Sequence, residues 1–244
     1  MDKNDVINGL VFRSLHGPEM VLASPDTIRD AIEKGLPITE QQKLPVEEAI
    51  NKLFDHRKQH AQRLASNILP CPIPETPILY LYDQISQCIL FDMNGAAITF
   101  CGILVEYALK YTTYMKENPG TADFDSAAWN EFEEITLVPA IVRAKKAGLI
   151  DDEIEKRLRS FAKDLRNRYS HFNIQKITEG AVFGKVKAKN IKTGEETEVE
   201  LSASKSPTLQ IIAKEKMDEL NVLKVFEFAD RVVQHLFVTL TSKK

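Results

Sequence analysis

Cysteine is scarce in this chain: Cys71, Cys88 and Cys101 are the only three among 244 residues. Their number is odd, their spacing is wide and no C-x-x-C pair occurs, so neither a disulfide framework nor a zinc site is suggested. A phosphate-cradling loop is missing as well. No G-x-x-x-x-G-K run is present, and the stretch from Gly180 to Gly184 lacks the strand-to-helix context such a loop requires. Nucleotide hydrolysis of that type is therefore not expected. The longest uncharged run, residues 93–105, is shorter than the roughly 20 apolar residues that span a bilayer. Residues 1–8 are charged and do not carry the apolar core of a secretory signal. Simple repeats and low-complexity tracts are absent too. The expectation is a soluble, cytoplasmic protein with reduced thiols and no membrane partner.

What is present is ordinary globular material. The chain is 43% hydrophobic and 27% charged with a net charge of -3, and it is long enough for one large or two small domains with a buried core. The net charge argues against a generally basic coat. Its distribution is uneven, however: residues 156–176 hold seven Lys or Arg against a single acid, Asp164. Such a strip attracts phosphates, although a charge run by itself ordinarily marks a solvated helix face.

Residues 6–23 alternate loosely around Gly9, Gly17 and Pro18 and read as an irregular arm with a short strand. Ser24-Pro25-Asp26 ahead of Ile28, Ala31 and Ile32 predicts a capped helix ending at Gly35. A second helix starts near Pro45 and runs through Ala49, Ile50, Leu53 and Leu64. His56 and His60 lie one turn apart on it, a metal-ligand spacing without a third ligand nearby, so an exposed polar face is the ordinary reading. Pro70, Pro72, Pro74 and Pro77 then mark an extended connector. It separates a helical N-terminal arm, residues 1–75, from a main domain, residues 76–244.

In the main domain, residues 79–92 and 94–117 read as helices, the second with Ala97, Cys101, Leu104, Ala108, Tyr111 and Met115 on one stripe. Asn118-Pro119-Gly120 breaks the chain, residues 125–130 form a short helix or capped turn in which Trp129 packs, and residues 135–147 form a helix ended by Gly148. Residues 181–189 and 197–202 are β-rich and flank a turn, which predicts a two-stranded hairpin insert over about 180–203. Ser206-Pro207 starts a long last helix through Leu220, Leu223, Val233, Leu236 and Phe237. The expected fold class is all-α: an antiparallel helical bundle with a small inserted β-hairpin and a helical N-terminal arm.

Chemistry concentrates at the end of the helix that starts at Asp152. Ile154, Leu158, Phe161, Leu165, Tyr169 and Phe172 recur at steps of three and four and define an apolar stripe. Within Leu165-Arg166-Asn167-Arg168-Tyr169-Ser170-His171-Phe172-Asn173, an arginine, an amide and a histidine fall inside six positions. On an ideal wheel Arg166 and His171 flank the stripe on opposite sides, roughly 140° apart, with Asn167 one turn before His171. Spacing alone does not bring Arg166 and His171 together.

The run Arg166-Asn167-Arg168-Tyr169-Ser170-His171 resembles the signature of the HEPN superfamily, the higher eukaryotes and prokaryotes nucleotide-binding proteins. Residues 96–110 (AAITFCGILVEYALK) are similar to that family's first core helix, and residues 137–149 (LVPAIVRAKKAGL) to the segment ahead of its motif helix. The resemblance covers roughly residues 78–240, interrupted by an insert. It implies a metal-independent endoribonuclease without a cofactor, in which the RNA 2′-hydroxyl is the nucleophile and a 2′,3′-cyclic phosphate is left. Under it, His171 is general acid or base, Arg166 is the phosphate clamp, Asn167 holds geometry or hydrogen-bonds the phosphate, and Glu106 orients Arg166. Lys163 and Arg168 are weaker candidates for contacts to the RNA backbone. The implied partners are RNA, a second copy of the chain completing a composite site, and an antitoxin or other regulatory protein in a prokaryotic toxin or antiviral-defence setting. The alternatives are a HEPN-like module that binds nucleotide or protein without catalysis, and a structural motif in which Arg166 pairs with Asp164 or Glu106 and His171 caps a helix.

Overall fold

The computed structural model describes residues 46–119, 125–189, 196–205 and 207–242. The chain divides into two units, residues 1–63 and residues 64–244. Helix α1, Val46–Leu64, follows Pro45 as its sequence predicts. The arm of residues 6–23 and the capped helix of residues 24–35 lie outside the described residues.

In the second unit most helix ends have an identifiable chemical cause. Helix α2, Thr76–Leu90, carries Pro77 in its first turn, where the missing N–H would have had no partner anyway. Helix α3 spans Asn94–Glu117. Helix α4, Ser126–Glu134, is opened by Asp125, whose carboxylate accepts from the N–H groups of Ala127 and Ala128 at 2.9 and 3.2 Å. Helix α5, Leu137–Lys146, is followed by Gly148 at φ 71°, the left-handed position that closes many helices. Asp151 opens α6, Asp152–Phe161, by accepting from the Ile154 N–H at 2.8 Å. The chain then continues through a π turn, Ala162–Arg166, into α7, Asn167–Ser170, and the single turn α8, Ile174–Ile177. Strands β1, Val182–Lys189, and β2, Glu196–Ser202, pair antiparallel with Val186 opposite Val199; the turn at residues 190–195 lies outside the described residues. Helix α9 spans Pro207–Thr241. The described chain is mostly helical and belongs to the all-α class.

Helix α3 is the centre of this unit, packed against α2, α5 and α9 and touched by α4 and the motif helix. Ala97, Cys101, Leu104, Val105, Ala108 and Leu109 are all fully buried. The single stripe expected for α3 is therefore too narrow. Thr112, Thr113 and Tyr114 are buried, whereas Met115, expected on the stripe, is 38% exposed. A helix with neighbours on several sides has no single apolar face. Its threonines are tolerated because their hydroxyls donate back to the carbonyls of Ala108 and Leu109 at 2.7 and 2.6 Å.

On α9 the residues that join the main core are Val222, Val225, Phe226, Ala229, Val232, Val233 and Leu236. Leu220, expected among them, is 59% exposed, because it lies about 180° around the helix from the fully buried Ala229. Trp129 packs as expected, in a second cluster with Tyr114 and Phe132. Leu64, Ile68, Leu69, Cys71 and Ile73 lie against the main core, so the proline-rich stretch is held by that core.

The two strands contact each other far more than any helix, and Val182 and Phe183 are exposed. What ties them in is Ala203, fully buried, whose N–H donates to the Ala181 carbonyl at 3.0 Å. Replacing residues 182–202 by a short Gly-Ser linker should therefore keep helical circular dichroism per helical residue close to the parent. The change in loop closure is worth only about 0.6 kcal/mol per doubling of length. Loss of cooperative melting would place the strands in the core.

Candidate functional site

The π turn precedes Asn167 directly and ends on Arg166. A π turn places one extra residue in a helical turn and recurs at functional sites, and it rotates the residues beyond it away from an ideal wheel. The stem of Arg166 crosses α3 at Gly102: a Cβ there would lie 3.1 Å from Arg166 Cγ and 3.5 Å from its Cβ. Past that crossing, Arg166 Nη2 donates to Glu106 Oε2 at 2.9 Å. Lys110 Nζ reaches the other oxygen of Glu106 at 3.0 Å and also donates to the Glu133 carbonyl at 3.2 Å. The side chains of Arg166 and Glu106 are 25% and 15% exposed, so the carboxylate lacks the full hydration of a surface glutamate and its charge is met by cations instead. One negative group between two positive ones leaves local positive charge. A guanidinium has five donors; among the described residues the only other polar contact of this one is Arg166 Nη1 to Asn167 Oδ1 at 3.5 Å, which is too long to be strong.

His171 ends α7. Its N–H reaches the Asn167 carbonyl at 3.4 Å, its side chain is exposed, and among the described residues its imidazole has no hydrogen-bond or ion-pair partner. No hydrogen bond joins it to Arg166 or Glu106 among the described residues. The next residue overturns an expectation: Phe172, placed on the apolar stripe by its spacing, is 61% exposed with φ 45°. The helix has stopped at Ser170, so the wheel no longer applies. Phe172 N–H donates to the Tyr169 carbonyl at 3.1 Å and Asn173 N–H to the Arg168 carbonyl at 2.8 Å, a helix-closing pattern in which glycine is the usual occupant. An L side chain at this left-handed position costs roughly 1–2 kcal/mol.

The remaining candidates separate. Asn167 and Lys163 are exposed. Arg168 is engaged by the protein itself: it donates to the Lys176 carbonyl and pairs with Asp164 at 3.6 Å and Glu179 at 3.9 Å. It ties down the helix end, which leaves it a weaker candidate for RNA than Lys163. His56 is exposed and His60 buried, and among the described residues no three His, Cys, Asp or Glu side chains gather to hold a metal ion. Burial pushes the thiols of Cys71, Cys88 and Cys101 up, so none is primed as a nucleophile.

Three groups near the motif carried little signal in the sequence. Tyr169 donates to Asp218 Oδ1 at 2.5 Å, and Lys214 Nζ meets Asp218 Oδ2 at 2.5 Å. The Lys214 ammonium also lies over the rings of Tyr169 and Phe172, 5.1 and 5.7 Å from their centroids. A Cβ on Gly95 would come within 2.7 Å of Asp218 Oδ2 and 2.8 Å of Lys214 Nζ. Asp218 is buried. The legible signals are faint: Lys214 and Asp218 are four apart on a helix, and Gly95 and Gly102 are seven apart on α3 and hence on one face.

Burial, followed by the bond to Asp218, raises the Tyr169 pKa above its ordinary value. Ionising Tyr169 is thus harder in the folded chain than in the unfolded one. Its contribution to stability is complete below pH about 10 and falls as pH rises past that value toward the folded pKa. Melting temperatures measured between pH 8 and 11 should fall less steeply for Tyr169→Phe than for the parent; equal slopes would contradict this. Gly102→Val should push the Arg166 stem off α3 and break its bond to Glu106. Crystallography of the variant, or an unchanged coupling between Arg166→Ala and Glu106→Gln in a double-mutant cycle, decides the point.

Among the described residues no helix is long and apolar enough to cross a membrane. Compared with family models, curated proteins and solved structures, the chain matches none of them.

Proposed function

We propose that this chain is a metal-independent endoribonuclease of the HEPN type, built on a helical bundle and acting as a homodimer. The observation that carries the reading is the pairing of roles at one helix end: an arginine aimed by Glu106 at 2.9 Å, and five residues on a histidine whose imidazole is exposed and unpartnered among the described residues. RNA supplies its own nucleophile. The 2′-oxygen forms a bond to phosphorus as its proton passes to a base, and the bond from phosphorus to the 5′-oxygen breaks as that oxygen takes a proton from an acid. A 2′,3′-cyclic phosphate and a 5′-hydroxyl result, with no net oxidation. An imidazole, with an ordinary pKa near 6.5, exchanges protons readily at neutral pH. A guanidinium is always charged and its fork matches phosphate oxygens.

In this reading His171 moves the protons and Arg166 holds the phosphate, with Glu106 keeping Arg166 in place, Asn167 hydrogen-bonding the phosphate, and Lys163 and Arg168 next to the RNA backbone. Two motif ends facing each other across a two-fold axis would supply two histidines, one for each proton, from a single sequence. A second reading is a HEPN-like module that binds a nucleotide or protein without catalysis. The hydrogen bond from Arg166 to Glu106 favours it, since the same pair also serves as a structural tie between helices. The setting suggested by the resemblance, a prokaryotic toxin or defence protein held by an antitoxin or other regulator, belongs to the first reading.

Labelled RNA incubated in EDTA separates the two. The parent should cut it, and His171→Ala should lower the rate by about 100-fold or more while retaining RNA affinity. Arg166→Ala should weaken binding and lower its salt dependence. Because His171 is exposed, His171→Ala should melt within about 0.5 kcal/mol of the parent. Cleavage by His171→Ala at the parent rate would remove the nuclease assignment.

A further inference from the structure

We propose that Phe172, backed by Lys214, is a stacking platform for an unpaired nucleobase next to the phosphate handled by Arg166 and His171. This rests on the RNA reading and deepens it, because it names the side chain that holds a base of the bound strand. The argument begins with a residue that is unfavourable where it stands. Phe172 holds φ 45°, a conformation that bulky L residues avoid, at a helix-closing position suited to glycine. The ring gains little burial in return, since it is 61% exposed and belongs to neither hydrophobic cluster. A strained, exposed aromatic at the end of a functional motif points to a ligand rather than to folding.

The surroundings say which ligand. The Lys214 ammonium lies over the ring, 5.7 Å from its centroid, and is itself fixed by Asp218 and by the Tyr169 ring. With its side chain only 13% exposed, Lys214 is committed to steadying the ring and not to binding phosphate. The ring thus stays presented beside His171, its neighbour in sequence. Lys163 and Lys176, both exposed, supply cations along the same stretch of chain for a polyanionic backbone. An exposed ring with basic neighbours is how unpaired bases are held: every base has a π face, so the contact tolerates sequence but requires a base free of its partner. A duplex would not offer one.

The test uses the full chain and a single-stranded 2′-O-methyl RNA oligonucleotide carrying one 2-aminopurine, whose blocked 2′-oxygen keeps binding separate from cleavage. Parent and Phe172→Tyr should quench the 2-aminopurine. Phe172→Gly should bind roughly 5- to 150-fold more weakly, lose the quenching, and melt no lower than the parent. Phe172→Leu, which keeps apolar bulk without a π face, should behave like the glycine variant. Equal binding and quenching by Phe172→Gly and the parent overturns the platform, and so does failure of the parent to bind the single strand. Parent-like behaviour of Phe172→Leu, or a parent dimer that becomes monomeric on Phe172→Gly in light scattering, shows an apolar protein contact and also overturns it. Cleavage of the unmodified strand is scored separately. Phe172-dependent binding by a parent that does not cut RNA retains the platform and removes the nuclease, whereas cutting with Phe172-independent binding does the reverse.

Discussion

Enclosure of α3 governs the rest of this fold. A helix with neighbours on several sides must settle every polar group along its length, and Glu106 is the sharpest case. Its carboxylate lies between Arg166 at 2.9 Å and Lys110 at 3.0 Å. Removing a half-buried charge from water without such partners is costly, so the need to pair Glu106 also fixes where the motif helix crosses α3. Arg166 is therefore positioned by the folding of the core.

Two glycines make the crossing possible. Gly102 lets the Arg166 stem pass against α3, and Gly95, seven residues earlier, makes room for Asp218 and Lys214 from α9. Glycine within a helix ordinarily weakens it by roughly 0.5–1 kcal/mol; here each one admits a charged side chain that locks a neighbouring helix to α3. The Tyr169, Asp218 and Lys214 group adds a second tie between the motif helix and α9. Both ties fall within the segment from Arg166 to Phe172 and reach two different helices, while His171 and Phe172 remain exposed.

That contrast between a tied base and exposed tips suits the proposed RNA site. Binding groups must be preorganised to act on a transition state, while a proton-transferring group must be reachable by the substrate. In the proposed nuclease Arg166 would meet the first condition through Glu106, and the exposed His171 would meet the second. The structural alternative, with Arg166 as a tie and His171 closing a helix, uses the same contacts but has no use for a strained, exposed Phe172.

Much of the architecture was legible in the residues. The capped turn at Asp125 and Gly148 past a helix end act within a few positions of chain, and local chemistry of that range is written directly in sequence; Pro77, read as the end of the extended connector, instead lies in the first turn of α2. Buried stripes were legible only where a helix has one partner face, as in Leu158 and Phe161, and failed at Met115 and Leu220. At the motif, residue types and spacing identified Arg166, Asn167 and His171 as a group. The π turn, the left-handed Phe172, and the meeting of Arg166 with Glu106, 60 residues apart, were decided by tertiary structure. So was the bond between Tyr169 and Asp218, 49 residues apart. Hydrogen-bond geometry is satisfied over about 3 Å, and only packing of the helices against one another brings groups so distant in the chain to that range.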